Sequence, residues 1–580
     1  MPNRRNNKTR NLLASLAVAA VPAAMAGRCR MDNPHEGCAL PYELGNFQGL
    51  YECNPAVGVA RPTNLDEMAK IVTTYDQVKA VGVGHSWWQE QFCAGADERA
   101  ADIVMTELQS TLDFIENPVN PSTFRDSQPP LDFPIQVDEA AQTVTVAAGI
   151  PQRQLLDYLS EYTYWSQPEG WTLPAFSWFI DQTIGGAVAT GTHGSSFQHG
   201  SMSSQLESLR LMVANGTIID ISPESNPHLF KAAGVSVGRL GVITDITMKI
   251  KPQQAVKRSL DDIEIAQFVD EIERIQNQYI AAKEAGDLEG AKRVLAQLDE
   301  VQALWHIGNG VLWRTSYEYL DKEPSNVMLN IPITGDVDAF DGGLQVYMPE
   351  DTADIATSSG ILENAGRWAR LYTTTMRGFV NPGTYAARKA FISMSEAGNK
   401  RSSTMQPYDQ YEVAVPFEKA GTCMKGLISE IYGPKNLYAG FRTPALVRFI
   451  SGEDFYLSPS NGGPVMYVNI EDHLSLSSGR QNNEFDQVLR YYIEECDARL
   501  HWGKAGWPTH WPEFDGAVNY SESWCDFGCA VAELDPNGKF RSESDVWRWA
   551  ATNGGMSVDF STCCSADGFS DACRCEPTTN

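Results

Sequence analysis

Residues 181–209 read DQTIGGAVATGTHGSSFQHGSMSSQLESL, and this stretch limits the chain's folding options more than any other. Glycines at 185, 186, 191 and 194 alternate with Thr190, Thr192, Ser195 and Ser196. Such a segment has too little side chain to build a core, but its backbone N–H groups and short hydroxyls can converge on a pyrophosphate without obstruction. It is not a Walker A loop, since no G-K-[ST] occurs, and taken alone the composition also suits an ordinary turn-rich loop. Two further glycine turns bracket it, KAVGVGHSWW (79–88) before and GVSVGRLGVIT (234–244) after.

The first of these turns presents a histidine where a strand ends. Three chemical readings compete for VGVGHSWW (81–88) beside a plain structural histidine in a turn. A nucleophile elbow, G-x-S-x-G, would use Ser86 but places Trp88 where glycine is required. A dinucleotide fingerprint would use Gly82 and Gly84 but meets Trp87 at the third small position, and no helical pattern opens there. In the third reading His85 is itself the functional group and the glycines let backbone approach a flat ligand.

The surrounding pattern is α+β. RPTNLDEMAKIVTTYDQVKAVGVG (61–84) places Leu65, Met68, Ile71 and Val72 at helical spacing before Val81 and Val83 alternate as a strand. QTVTVAAGI (142–150) is a strand followed by a helix opening at Pro151, and the neighbourhood of Leu131–Pro134 reads as an inserted loop. LESLRLMVANGTIIDIS (206–222) is a hairpin turning at Asn215-Gly216, and GVITDITMKIKP (241–252) is a further alternating strand. From about residue 253 the character changes: 259–305 is acidic and heptad-like, broken at AGDLEG, which suggests an antiparallel helical hairpin. Beyond it GLQVYMPE, YEVAVPFEKA, ALVRFI and PVMYVNI suggest an antiparallel sheet with helices, and 556–580 a cysteine-rich tail, pinned by disulfides or mobile.

The N-terminus bears on cellular address. Arg4, Arg5, Lys8 and Arg10 precede LLASLAVAAVPAAMA, which has the pattern of a signal peptide cleaved after Ala26, so secretion is expected. The 12 cysteines then read as disulfides, and the C-terminal ones lack zinc-module spacing. Asn215 and Asn519 stand in glycosylation sequons. With 45 Lys and Arg against 73 Asp and Glu the net charge is −28, which repels nucleic acid and anionic membranes, so neither is expected as a partner.

The order GVGHSW, IGGAVATGTHGSS, GRLGVITDIT resembles the FAD-binding domain of the vanillyl-alcohol oxidase superfamily, the PCMH-type fold, over roughly 55–252. RLHWGKAGW (499–507) and LDPNGKF (534–540) resemble closing segments of the aldonolactone and alditol oxidases in that superfamily. The resemblance implies a two-part FAD-binding domain over 27–252, a substrate (cap) domain of antiparallel sheet and helices over 253–498 and a closing segment over 499–555. It implies FAD held by Gly82, Gly84, His85 and Ser86, by Gly185, Gly186, Thr190, Gly191, Thr192, His193, Gly194 and Ser195, and by Gly238, Gly241 and Ile243. In those relatives the histidine of the GHS motif is bonded to the flavin 8α-methyl group, so a single covalent link at His85 is expected. PAFSWFIDQTIGG (174–186) has no cysteine for a second link, which assigns Cys93 to a disulfide or a buried thiol.

On the substrate side the resemblance implies Arg448, Lys504, His501 and Glu412 as catalytic residues. Leu446 stands where relatives carry the glutamate of an E-x-R pair, while Arg448 is kept, and HWGK supplies His501 and Lys504. Glu412 resembles the relatives' E-Y/F-A-x-P strand, and a solvent-facing strand position is the competing reading. Ser177 matches the position of a small residue that gates oxygen in relatives. The implied reaction is hydride transfer from a hydroxyl-bearing carbon of a sugar, aldonolactone or polyol to flavin, with O2 or another electron acceptor closing the cycle. Two alternatives stand beside it: a flavin enzyme of secondary metabolism acting on a less polar alcohol or phenol, suggested by Leu446, and a serine hydrolase using Ser86.

Overall fold

The computed structural model describes residues 44–46, 51–53, 58–95, 99–124, 127–162, 170–177, 182–307, 310–320, 382–387, 408–434, 444–473, 483–507, 511–553, 556–557 and 559–578. The expected leader, Cys29, Cys38 and the GLQVYMPE strand lie outside them.

Two main sheets build the first lobe among the described residues. β1 (Gly58–Ala60), β2 (Gln77–Val81) and β3 (Ala100–Val104) form a parallel sheet in the order β1-β3-β2. Helix α1 (Leu65–Thr74) links β1 to β2 and buries Met68, Ile71 and Val72, the face set by its apolar spacing. Burying each such side chain stabilises the lobe by about 1.5–3 kcal/mol. A reciprocal cap starts this helix: Asn64 Oδ1 accepts from Glu67 N at 2.9 Å, and Glu67 Oε2 accepts from Thr63 N at 2.8 Å. β2 delivers the chain at its C-terminal end into the Gly82–His85 turn, the end of a parallel sheet where ligands are met.

The second sheet is antiparallel: β4 (Ile135–Asp138), β5 (Thr143–Ala147), β6 (Leu206–Met212), β7 (Ile218–Ile221) and β8 (Val242–Lys249), in the order β4-β5-β8-β6-β7. Helices α2 (Gln152–Glu161) and α3 (Ile184–Ala189) connect these strands. The hairpin at Asn215-Gly216 forms as its sequence dictates, with Gly216 at φ 81°.

The second lobe is an antiparallel sheet of β9 (Ala255–Glu264), β10 (Val301–His306), β11 (Val311–Leu320), β12 (Gly383–Ala386), β13 (Tyr408–Pro416), β14 (Ala445–Ile450), β15 (Val465–His473) and β16 (Arg499–Leu500), ordered β12-β9-β11-β10-β14-β15-β13-β16. Its register places Leu446, Asn469 and Glu412 in one row on one face, with Gln302, Arg448, Tyr467 and Ala414 in the adjacent row. The expected helical hairpin is narrower than 259–305: α4 (Ile265–Glu284) and α5 (Leu288–Leu295) are helical, whereas 259–264 and 301–305 are strand. β9 pairs with β11 over ten residues, and that ladder outweighs the heptad-like spacing of SLDDIE.

α6 (Asn483–Cys496) is joined to the 420s helix by the disulfide Cys423–Cys496. α7 (Glu522–Leu534) anchors the tail through Cys525–Cys575 and Cys529–Cys564, and Cys563–Cys573 closes it, so the tail is pinned. Cys93 pairs with Cys53. Among the described residues no helix is long and apolar enough to cross a membrane.

Candidate active site

A cleft of about 980 Å³, mouth included, opens between the two sheets of the first lobe and the segment after β16. Its walls are the three glycine turns. Gly82, Gly84, His85 and Ser86 line it from the first, Gly185, Gly186, Thr190 and Thr192 from the second, and Gly238, Gly241 and Ile243 from the third; His501, Gly503 and Lys504 complete it.

His85 reaches the cleft because Gly84, at φ 76°, turns the chain off the end of β2. Its ring is half-buried, with Nδ1 3.5 Å from Gln182 Nε2. Asn46 Nδ2 and Tyr51 Oη both donate to Ser86 O, at 2.6 and 3.0 Å, and Trp87 N donates to Gly503 O at 3.1 Å, clamping the turn from both sides. Ser86 Oγ lies 2.7 Å from Tyr51 Oη, and burial raises that phenol's pKa, so the serine is tied to a hydrogen-bonding group and not to a base. Trp88, at the position a nucleophile elbow needs as glycine, is buried. Among the described residues the hydrolase reading has no geometry behind it.

These walls suit FAD. Among the lining residues the only charged side chain at neutral pH is Lys504; the rest is glycine, hydroxyl, amide, imidazole and apolar surface, which matches a flat ring system and a pyrophosphate held by N–H and O–H donors. Gly238, at φ 66°, has no atom within 4 Å of where a Cβ would stand, so a side chain there would project into open space at the cleft wall.

The second turn divides its labour. Thr190 and Thr192 line the cleft, but Gly191, His193, Gly194 and Ser195 do not. At Gly191 the requirement is backbone, φ 69°, because a Cβ would meet Val235 at an ordinary 3.6 Å. At Gly194 it is packing, since a Cβ would fall 2.7 Å from the Phe176 carbonyl oxygen. Ser195 Oγ donates to Val301 O and accepts from Phe449 N at 3.0 Å, and Ser196 Oγ donates to Asp299 at 3.0 Å. The half beyond Gly191 therefore fastens the first lobe to the second. Ser177 is buried and not among the cleft-lining residues; its N and Oγ each lie 3.3 Å from Gln152 Oε1.

Past His501 the character of the site changes. Glu412, 1% exposed, forms a salt bridge with Arg448 Nη2 and lies 3.3 Å from His193 Nε2. Arg448 Nη1 donates to His193 O at 2.9 Å, and the His193 ring stacks on Tyr467 with centroids 3.7 Å apart. His501 N donates to Glu412 O at 2.9 Å, while His501 Nδ1 accepts from Gly503 N at 3.0 Å, which leaves Nε2 to carry the ring proton. Lys504 Nζ lies 4.7 Å from the Trp87 ring centroid. With the Gln410 amide oriented to suit its neighbours, its oxygen accepts from Lys504 Nζ at 2.6 Å and its nitrogen donates to Glu471 at 3.1 Å.

Burial works to raise the Glu412 carboxyl, but Arg448, His193 and His501 overcome it and hold the group well below the usual range. Burial lowers His501 to about 3, against the pull of Glu412, and lowers His193 with help from Arg448. Burial lifts Glu471 to about 7, with Lys504 opposing. The cluster thus holds one firm carboxylate, two neutral imidazoles and two cations in a dry space. His193, Glu412 and His501 offer ligand atoms within 4.8 Å of one another, but the guanidinium of Arg448 already supplies Glu412 with a positive partner.

Glu412 is therefore not solvent-facing. It occupies the row of Leu446, two strands away, so this face carries a carboxylate although Leu446 is apolar. His193, expected on the cofactor, stands beside Glu412 and Tyr467 in this cluster. Gln410, Tyr467, Asn469 and Glu471 went unread in the sequence, although polar residues at every second position of otherwise apolar strands, Gln410/Glu412 and Asn469/Glu471, were the available signal.

Comparison with known proteins agrees with this architecture. Residues 131–222 match a family model described as FAD binding domain, and residues 371–550 one described as D-arabinono-1,4-lactone oxidase. A cholesterol oxidase from B. sterolicum superposes with a TM-score of 0.59 at 14% identity, covering 87% of this chain and 96% of that one. Fold, cleft and domain matches are those of an FAD-linked oxidoreductase, with a fold similar to that of the PCMH-type FAD oxidases. Within that class the chain is similar to the aldonolactone oxidases. It is 23% identical to mouse L-gulonolactone oxidase over 513 residues, 86% of this chain and 96% of the relative, and 30% identical to D-arabinono-1,4-lactone oxidase of Eremothecium gossypii over 245 residues, 41% and 40% of the two chains.

Proposed function

We propose that the protein oxidises a hydroxyl-bearing carbon of a sugar lactone or related polyol, with FAD joined to His85 and O2 as the final acceptor. The observation that carries this reading is the pairing of a glycine-walled cleft with a buried cluster of Glu412, Arg448, His193, His501 and Lys504, charge in a dry space that a hydroxyl-rich molecule can satisfy. When bound, FAD would supply a two-electron acceptor for hydride that O2 could reoxidise.

The chain's own residues supply the rest. Gln182 orients the His85 imidazole, and the absence of side chains at Gly82 and Gly84 clears its approach to an electrophilic carbon. Lys504, the cation on the cleft wall, stabilises the alkoxide that develops as the hydroxyl proton departs. The hydroxyl proton leaves through the open mouth of the cleft, while Arg448 holds Glu412 ionised and the pair, with His193, sits behind His501 and Lys504, the members of the cluster that line the cleft. His501, neutral at physiological pH, donates from Nε2 and orients the substrate oxygen. Lys504 and the His501 N–H on the cleft wall favour this reading over a phenol or hydrophobic alcohol, which offers fewer oxygens to accept from them.

The leader pattern and the disulfides support a secreted protein, and the exposed Asn215 in its turn supports glycosylation there. Acid precipitation of the purified protein tests the covalent link, and peroxide release on a panel of aldonolactones and alditols tests the reaction. A yellow pellet and peroxide with at least one panel member are expected; a yellow supernatant refutes the link, and peroxide only with phenols or sterols refutes the substrate class.

A further inference from the structure

Six tryptophans drawn from distant parts of the chain stack behind the cleft wall. Trp88 follows the His85 turn, and its ring meets Phe92, which lines the cleft, at 6.5 Å. Trp502 sits between two cleft-lining residues, His501 and Gly503. From Trp88 the rings run to Trp547 at 6.4 Å and 14°, then to Trp524 at 5.5 Å and 7°, then to Trp549 at 5.2 Å and 23°. Trp502 joins Trp88 at 6.2 Å, Trp507 at 4.5 Å and Trp547 at 5.4 Å, each pair within 20° of parallel. Trp88, Trp502 and Trp524 are buried, whereas Trp549 is half-exposed.

Phe514 meets Trp502, Trp507 and Trp524 edge-on, at 81°, 79° and 76°, as core packing allows, whereas the indoles along the route stack on one another nearly parallel. Here every indole N–H on the route beyond Trp88 is tied: Trp547 to Gln91 at 2.7 Å, Trp524 to Arg548 O at 2.6 Å and Trp549 to Trp524 O at 2.8 Å. The rings are held in fixed, nearly parallel planes, so an electron vacancy moving along them meets little reorganisation. The Arg239 guanidinium lies 5.2 Å from the Trp547 ring centroid and disfavours positive charge there, so a vacancy does not rest midway but passes on toward Trp524 and Trp549.

We propose that this stack is a conduit that carries an oxidising equivalent from the cofactor cleft to Trp549 at the surface, and that it operates when blue light excites the bound flavin. The proposal rests on the reading of the cleft as an FAD site. One electron leaves Trp88 for the excited flavin; the vacancy is filled from Trp547, then Trp524, then Trp549. A small thiol in solution gives Trp549 one electron, loses its proton to water and ends as a thiyl radical. Each passage moves one electron from thiol to cofactor, and no bond in the chain is made or broken.

The test uses the intact flavin-loaded protein under anaerobic conditions, mixed with the monothiol glutathione immediately before the flash so that the disulfides beside Trp524 and Trp549 stay closed, and is read by flash absorption of the indole radical. In the unmodified protein the radical forms after the flash and decays faster as thiol is raised. Trp549→Phe should still form a radical but lose most of the thiol dependence, a several-fold slowing of its decay at high thiol. Trp88→Phe should abolish radical formation, and if that variant sheds flavin, Trp549→Phe decides alone. A flavin-loaded protein that forms no indole radical, or a Trp549→Phe variant with undiminished thiol dependence, overturns the conduit and leaves the FAD site standing. A colourless protein overturns the FAD reading itself and the conduit with it.

Discussion

The two halves of the site are built by different means. The cofactor half is made of local turns: each of the three segments carries its own glycines and short hydroxyls, and each reaches the cleft beside an end of a strand or helix. The substrate half is made of single residues from separate elements, Glu412 on β13, Arg448 on β14, Tyr467 on β15, His193 from the second glycine turn and Lys504 after β16, brought together by strand register and by the seam at Ser195. One half depends on what side chains leave out. The other depends on charge kept in balance where water is absent.

This contrast predicts that mutations in the first half change flavin content and those in the second change rate. The largest effect belongs to His85→Ala, which should leave no flavin in the acid pellet while the folded variant still binds FAD reversibly. A pellet that stays yellow would place the link elsewhere.

Gly238→Val sharpens the same side. The new residue would be strained at φ 66° and would project its side chain into the cleft, so flavin content should collapse. Gly194→Ala should do the opposite, retaining flavin but slowing its reduction, because the added carbon presses on Phe176 O and shifts the seam next to His193. Equal flavin loss in both, measured by absorbance per mole of protein, would erase the distinction drawn at Gly191.

On the charged side, Arg448→Met should slow flavin reduction by ~10²–10³-fold, the usual scale for losing a preorganised electrostatic group, with flavin content unchanged. Its stability should change as well. In the native protein the folded pKa of Glu412 is depressed, so the pair contributes stability above the unfolded carboxyl pKa and loses it only as pH falls through the lower folded value. Without Arg448, burial raises that pKa above the unfolded one, and the variant loses stability as pH rises from mildly acid to neutral. Leaving the carboxylate unpaired should cost about 3–5 kcal/mol at neutral pH. Melting temperatures across that range read the sign directly, and parallel curves for the two proteins would contradict it.

The smallest effect is expected from Leu446→Glu. Since Glu412 already provides a carboxylate in that row, a second one repels it and should lower turnover several-fold. A gain in turnover would mean that Glu412 does not serve the substrate.

The same contrast explains what the sequence could disclose. His85, Gly84 and the Thr190/Thr192 pair were legible because glycine at a turn has a local cause that survives without a fold. The division of the second turn was not, because whether Gly194 faces a pyrophosphate or Phe176 depends on a segment elsewhere in the chain. Glu412 reads equally as a site carboxylate or a surface strand position in the sequence, because only the pairing of β13 with β15 buries it, and Leu446 suggests a lost carboxylate because reading along one strand cannot show what stands across two. The helical spacing of 259–264 gave way to strand for the same reason: ladder partners in β11 lie about fifty residues further on.

Anaerobic mixing of the flavin-loaded protein with a panel of aldonolactones and alditols, followed in the visible flavin band, tests the central claim most directly. The account predicts that at least one hydroxyl-rich compound bleaches the band and that Arg448→Met, with equal flavin, bleaches far more slowly. Bleaching by phenols or hydrophobic alcohols alone, or at the same rate in both proteins, would contradict it.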